Sequence, residues 1–531
     1  MFPEPLNFQN ELLDGTPQIG LRFNLFFPWM INEDGTEMET LNHIGRHELH
    51  RFFYSSFSDD PVLQDFVTTN QTPIENFLHI SEDPTAPGIY LGTDPPEFGT
   101  HSSGILIAMN GVPADNPEDM RVTYLTHPVT ADPAESPGPE HSGLYRDPIR
   151  TTDGTYLAVH TASTLPDRNV GSGSTIASRY DYRIRRLTMG TNGYYHADTP
   201  LTGNGIAKSV TWWTPDVMLD YAGPLWELQP VEVRRRPIPV ATAQAALGSP
   251  ESDVFNEANA NLEYLRSYLR DEELALIVMR NVTTRDDIDR QQPFHLRVAG
   301  DTNLPPGVVD QKVYDVRYLQ IFQGDLLRGI GMQSAGDTPS NGRRVLARPL
   351  HIGSKLNTAT ETAPPGAVNI HPDGSVAAVV PARRALSWQL TAANGDPVVR
   401  ERYWVSFQPG EVRTCSSCHG LNREDQAGRL TPQNQPAALR ELLSAWAAEL
   451  HPGNIQFTRI ERLASGEVDL EIQGDRTATF RLQYSTNLQD WHDIATVSLA
   501  GTPPSATHRH SLSDGDPRRF YRIIKTVMQP D

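Results

Sequence analysis

The stretch Phe407-Gln-Pro-Gly-Glu-Val-Arg-Thr-Cys415-Ser-Ser-Cys418-His419-Gly420 contains both cysteines of a 531-residue chain. Cys415, Cys418 and His419 stand in the Cys-x-x-Cys-His spacing that attaches a c-type haem. Two thiols at this spacing can add to the two vinyl groups of one porphyrin. The histidine that follows then falls under the iron and supplies an imidazole ligand. Other chemistries use two cysteines at this spacing. A dithiol redox pair belongs at the end of a strand in a βαβ unit, and no such unit flanks the motif. A structural zinc site takes about four ligands. Cys415, Cys418 and two histidines would fill one, although no second cysteine pair exists and no histidines stand at zinc spacing. The immediate histidine favours one covalent haem c, with His419 as its metal ligand. A chance match with two idle cysteines is the remaining reading.

Composition sets the frame around the motif. The length suits about three or four domains. Glycine (39) and proline (43) are abundant, apolar residues make up 38%, and helical periodicity is scarce, so a mainly β, multidomain, loop-rich fold is expected. A net charge of -20 argues against nucleic acid or an anionic membrane as partner and suits a basic redox partner protein. No run approaches the ~18 apolar residues of a membrane helix. The first residues, Met1-Phe-Pro-Glu-Pro, have neither the basic nor the apolar part of a signal peptide. Covalent haem is normally attached outside the cytoplasmic membrane. A periplasmic or cell-surface location is therefore expected, with the export signal absent from this chain.

Residues 1–232 read as short strands between turn signals. Gly20–Phe27, Gly104–Met109, Arg121–Leu125, Gly154–His160 and Tyr182–Leu187 are the strands. Glu33-Asp-Gly35, Thr152-Asp-Gly154 and Thr191-Asn-Gly193 are the turns. Such repetition is the pattern of propeller blades. Phe27-Pro-Trp-Met-Ile-Asn-Glu-Asp-Gly-Thr36 resembles the blade motif of TolB-like propellers. The pattern starts almost at the first residue, so an incomplete ring is expected. Within this region His43, His47 and His50 form a cluster; His43 and His47 would share a face of a helix, but Gly45 weakens one. A polar rim loop is the plain reading and metal or haem contact the sharper one. Residues 128–153, rich in Pro, Asp and Glu, read as a long surface loop. Thr211–Pro215 and Gly223–Leu228 read as aromatic strand ends used for packing.

Residues 233–345 read as a connecting module. It holds a helix started by Ser249-Pro-Glu-Ser252, with Leu262, Tyr264, Leu265, Tyr268 and Leu269 on one stripe, and strands at Leu274–Met279 and Val313–Phe322. Residues 346–453 read as the haem domain. Its strands are Val368–Ile370, Ser375–Val380, Ala385–Leu390 and Tyr403–Phe407, with hairpin turns at Asp373-Gly374 and Asn394-Gly395. A helix carrying Leu439, Leu442, Leu443, Trp446 and Leu450 follows the motif and is expected to cover the haem edge or the β scaffold. Residues 454–531 alternate at period two and read as a small two-sheet β-sandwich. Leu482-Gln-Tyr-Ser-Thr-Asn-Leu-Gln489 there resembles the fibronectin-like modules of secreted bacterial proteins.

The run from His371-Pro-Asp-Gly-Ser-Val through Trp388, Asn394-Gly395 and Trp404 to Gln408-Pro-Gly-Glu-Val-Arg-Thr-Cys415-Ser-Ser-Cys-His419 resembles the hydrazine synthase alpha-subunit-like cytochromes. The resemblance implies a TolB-like propeller beside a c-type haem on a small β scaffold. It also implies redox chemistry, with small nitrogen species or peroxide as substrates if the iron is open. Two departures matter. That family carries two haems, and one attachment motif is present here. A tyrosine shortly after the motif histidine ligates the family's catalytic iron, whereas Arg423 stands at the equivalent place. Ordinary His419 ligation is the simpler expectation.

The other axial position separates a carrier from a catalyst. No methionine lies between His419 and Met528. Met332, His351, His371, His451 and the 43–50 histidines are the candidates, each more readily explained as structural. With a second protein ligand the chain is an exported monohaem electron-transfer protein. With an open iron it is a haem redox enzyme. A surface interaction protein with a structural haem is the third reading, and no residue beyond the motif announces itself as catalytic.

Overall fold

A computed structural model describes residues 29–40, 72, 74, 76–96, 98–111, 120–235, 244–285, 293, 295–305, 308, 312–328, 343–351, 356–357, 362–401, 404–417, 424–425, 427–449, 455–474, 479–501, 503–511 and 519–525. The fold is mainly β, in several antiparallel sheets. Two compact units divide it: residues 1–252 with 263–438, and residues 253–262 with 439–531.

Among the described residues the first unit begins with a short hairpin, β1 (Trp29–Met30) and β2 (Glu39–Thr40), closed by the expected Asp34-Gly35 turn. Gly35 has φ +85, a conformation only glycine adopts without strain. Next come two four-stranded meanders. The first is β3 (Leu78–Glu82), β4 (Ile89–Asp94), β5 (Ile105–Asn110) and β6 (Val122–Tyr124). The second is β7 (Leu144–Arg150), β8 (Tyr156–Thr161), β9 (Arg183–Met189) and β10 (Tyr195–Pro200). Leu91 and Leu106 of the first share one core with Tyr145, Ala158 and Leu187 of the second. Consecutive meanders joined in this way are arranged as neighbouring propeller blades are.

Two expectations fail here for physical reasons. The stretch 128–153 is not one long loop: its end is β7, whose Leu144 and Tyr145 are fully buried. The Pro148 that suggested a loop sits where the β7–β8 register slips. The aromatic residues near 212 do not pack. β11 (Ala207–Thr214) and β12 (Val217–Pro224) form a two-stranded ribbon of their own, leaving Trp213 66% exposed.

After the blades come α1 (Ser249–Glu257) and α2 (Leu262–Asp271), two helices where one was expected. The break is at Asn259, in the left-handed region at φ +47. Two sheets then share one core. β13 (Leu274–Met279) is central in the first. β14 (Leu296–Val298) and β15 (Tyr314–Val316) pair in parallel, and β16 (Tyr318–Arg328) follows with β17 (Arg343–Pro349). The remaining strands are β18 (Ala367–Asn369), β19 (Val376–Pro381), β20 (Leu386–Thr391), β21 (Pro397–Arg400) and β22 (Val412–Cys415). The strand orders are β19-β13-β22 and β17-β16-β20-β21, with β18 also on β16. Strands from both sides of residue 345 therefore lie in the same sheets. The Asp373-Gly374 turn forms, but as a corner: β18 pairs with β16 and β19 with β13, in different sheets. Of the strand expected at 403–407, among the described residues, one bridge from Val405 to Leu386 remains.

α3 (Ala437–Glu449) is the expected helix, with Leu439, Leu443 and Trp446 buried. The second unit ends in two three-stranded sheets. They are built from β23 (Ile455–Arg462), β24 (Val468–Gly474), β25 (Thr479–Ser485), β26 (His492–Ser498), β27 (Ser505–His510) and β28 (Phe520–Lys525). Their orders are β23-β24-β27 and β26-β25-β28. Leu470, Ile472, Phe480 and Leu482 form the core of this β-sandwich.

Candidate functional site

The site is built on β22. It lies parallel to β13 in the register Leu276↔Val412 to Met279↔Cys415. β13 is buried throughout and reads as a continuous apolar run, as a central strand should. Cys415 thus ends a strand whose position is fixed by the middle of a sheet. Its carbonyl accepts from the Arg280 N–H at 2.9 Å. Its half-buried side chain packs against the apolar core that Trp388 and Val405 also border. Burial pushes the thiol up to about 11, against the pull of nearby Arg413. A thiol so held is protonated at neutral pH and a poor free nucleophile.

Arg280 closes the frame around the motif loop. Its Nε and a terminal nitrogen donate to both oxygens of buried Glu251, at 2.7 and 2.9 Å. Its other terminal nitrogen donates to the Pro432 carbonyl at 3.1 Å, and its own carbonyl accepts from Asn434 Nδ2 at 2.8 Å. Asp373 then ties down the start of α3. It accepts from the Ala437 N–H at 3.0 Å and from Asn434 at 3.2 Å, while Ser375 donates to it at 2.6 Å. Burial raises the Asp373 carboxyl, but these donors outweigh it and hold it below the usual range. Residues 415, 432 and 434 are therefore all tied to Arg280, and residues 434 and 437 to Asp373. The chain between residues 415 and 432 leaves and rejoins the scaffold at fixed points.

A second lock lies upstream. Strand alternation puts Glu411 and Arg413 on one face of their segment. Glu411 is buried, and its carboxylate accepts from the Gln408 N–H at 2.8 Å and the Glu37 N–H at 3.0 Å. Burial raises its pKa, with these bonds opposing. Arg413 meets Glu37 at 2.9 Å and Glu39 at 3.0 Å. The β1–β2 hairpin is in this way clamped to the strand that ends in Cys415. Gly35 lies so close to Gln408 that a Cβ there would come within 2.5 Å of it. Gly410, at φ +84, faces α2, where a Cβ would stand 2.9 Å from the Arg266 carbonyl. The Gln408-Pro-Gly-Glu-Val-Arg413 phrase is thus a set of packing and charge contacts leading to the thiol.

Residues 316–420 match the family model described as the hydrazine synthase alpha subunit middle domain. Over these residues the chain is similar to that domain. The match spans β16 to the Cys motif and so includes β22, Glu411, Arg413 and the Asp373 corner, while Glu37 and Glu39 lie outside it. The fold also aligns with "Kuenenia stuttgartiensis Hydrazine Synthase", at 14% identity and a TM-score of 0.36, over 77% of this chain. The chain spans 41% of that chain's length. No curated protein matches the sequence.

Of the residues singled out from sequence, the structure describes Cys415, His351 and His371. Cys418, His419, Arg423, Met332, His451 and the 43–50 histidines lie outside the described residues. His351 is an exposed residue after β17, with Nδ1 3.0 Å from the Pro349 carbonyl and Nε2 3.4 Å from Asp325. His371 is half-buried in the 371–375 turn. Among the described residues no group of three His, Cys, Asp or Glu side chains could hold a metal ion. The described part of the attachment motif fits a covalent haem. Cys415 offers a neutral thiol at the edge of an apolar core, suited to becoming an uncharged thioether beside a porphyrin. The sequence reading missed the Glu37, Glu39 and Arg280 contacts. The spacing of Glu37 with Glu39 and of Glu411 with Arg413 was the available signal.

Proposed function

We propose that the chain is a c-type haem protein of the hydrazine synthase alpha-like class that transfers single electrons outside the cytoplasmic membrane. Cys415 and Cys418 would hold one haem by thioether bonds and His419 would bind its iron. The observation that carries this reading is the Cys-x-x-Cys-His motif starting at the end of the strand paired to central β13, inside the residues that match the middle-domain model. Haem bound there would supply a one-electron iron couple. The chain's own part is to fix the strand that ends in Cys415, through Arg280 and the Arg413 clamp. A rigid surround limits reorganisation on electron transfer, and the acidic surface favours a basic redox partner protein.

The family match favours a second reading, a redox enzyme acting on a small nitrogen species or peroxide at an open iron. Optical spectra of the reduced, haem-loaded protein separate the two. The electron-transfer reading expects a six-coordinate, low-spin iron that carbon monoxide and nitric oxide leave unchanged. A high-spin spectrum that shifts on adding either gas, with turnover of hydroxylamine or peroxide, replaces it with the enzyme reading.

A further inference from the structure

A cleft of about 360 Å³ opens between β3, β7 and the extended segment 229–234. It lies wholly within the first unit and shares no residue with the haem motif. Its backbone is unusual. β3 carries one extra residue against β4 between Leu78 and Ser81, and β7 carries one extra against β8 between Arg146 and Ile149. These bulges come from two different sheets and meet at the same place. His79 in the first has φ +54, Asp147 in the second φ +48, and Gln229 on the third wall φ +51. Bulges re-aim side chains, and left-handed non-glycine residues persist only where surrounding structure enforces them.

Hydrogen bonds show what these backbones hold in place. Arg146 donates from Nε to Asp147 Oδ2 at 2.8 Å and from a terminal nitrogen to His79 Nε2 at 3.0 Å. An arginine only donates, so His79 Nε2 carries a lone pair and the ring is neutral. Burial lowers the His79 pKa, with Asp147 opposing, in agreement. Asp147 Oδ2 also accepts from the Gln229 N–H at 3.4 Å. Its other oxygen, Oδ1, stands 3.8 Å from His79 Nε2 and accepts no hydrogen bond from the described residues. Glu82 uses Oε1 for the Gly88 N–H at 3.0 Å and keeps Oε2 unengaged among the described residues. Arg234 keeps most of its donors, with Glu232 at 3.8 Å as its one ion pair among the described residues.

The cleft therefore offers spare carboxylate oxygens and a spare guanidinium together, beside the apolar faces of Pro84, Pro148 and Val231. A simple anion would meet the carboxylates of Asp147, Glu82 and Glu232. A simple cation would meet Arg150 and Arg234. We infer that this cleft binds a small zwitterion, an α-amino carboxylate of free amino acid or short peptide size. Its ammonium is received by Asp147 Oδ1 and Glu82, its carboxylate by Arg234, and an apolar side chain lies on the proline wall. The volume is within the range of small-molecule sites.

Isothermal titration of the full haem-loaded protein with leucine and with glycyl-leucine tests this. At least one binds, and the preference between them tells free amino acid from peptide. Acetylating the amine or amidating the carboxylate of the better probe weakens it about tenfold or more, the scale of one lost charged contact. Arg234→Gln and Glu82→Gln, both at the rim and outside any core, weaken it similarly and leave the optical spectrum unchanged. Failure of both probes to bind at about 10 mM, a weaker limit than any useful metabolite site, overturns the inference. So does equal binding of the blocked derivatives, or full binding by both variants.

Discussion

Arg413→Met removes the cation that joins the β1–β2 hairpin to the Cys415 strand. Its side chain is 12% exposed, and it faces Glu37 at 25%, Glu39 at 34% and Glu411 at 0%. Taking one partner from a fully buried pair costs about 3–5 kcal/mol. Two of these carboxylates can turn back to water, and Glu411 keeps its two backbone N–H donors. The lower end therefore applies, about 3 kcal/mol, or roughly a hundredfold in the folding equilibrium. Denaturant unfolding of the haem-loaded protein, followed by far-UV circular dichroism, measures it. Adding Glu37→Gln and Glu39→Gln to Arg413→Met should return about 1 kcal/mol by removing like-charge repulsion. The same two changes in the wild-type background should destabilise. A loss under about 1 kcal/mol for Arg413→Met, the value of a surface pair, or strictly additive changes, refutes the clamp.

Asp373→Ala takes the acceptor from the Ala437 N–H and from Ser375, and should cost about 1–2 kcal/mol as a lost helix cap does; thermal unfolding reads it, and a change within error contradicts the role. Its folded pKa is depressed, so its contribution is present above the unfolded value of 3.8 and is lost as pH falls through the folded value. Asp373→Asn should accordingly flatten the acid limb below about pH 4. His160 is buried, which lowers its pKa from 6.5 to about 4. Such a group stabilises fully above 6.5 and loses that contribution as pH drops towards 4, at about 1.4 kcal/mol per unit. The stability of the first unit should fall across that window, and His160→Gln should remove most of the slope; an unchanged slope would assign it elsewhere.

What could be read from the sequence follows the range of the interactions. Local signals held: the Asp34-Gly35, Asp153-Gly154 and Asn394-Gly395 turns, the α3 stripe and the alternating strands of the sandwich. β23 and β27 went unread because their outward residues are charged or small and dilute the alternation. The Asp373-Gly374 turn was legible, but not the fact that its flanking strands part into two sheets. That partition depends on β13 and β16, which lie far upstream and take up β19 and β18. The Glu37 to Glu411 contact spans 374 positions, so the spacing within each segment marks the charged residues but not their meeting. The cleft near His79 was equally hidden, since an extra residue in a strand leaves no mark in the hydrophobic alternation of its neighbours.

The central claim is that Cys415 and Cys418 carry one haem. Intact mass of protein matured in a host that assembles c-type cytochromes, with a pyridine haemochrome spectrum of the same sample, tests it most directly. The account predicts the polypeptide mass plus one haem, a two-thioether haemochrome, and loss of that spectrum in the Cys415→Ala, Cys418→Ala double variant. The bare polypeptide mass, or haem that washes out under denaturation, contradicts it.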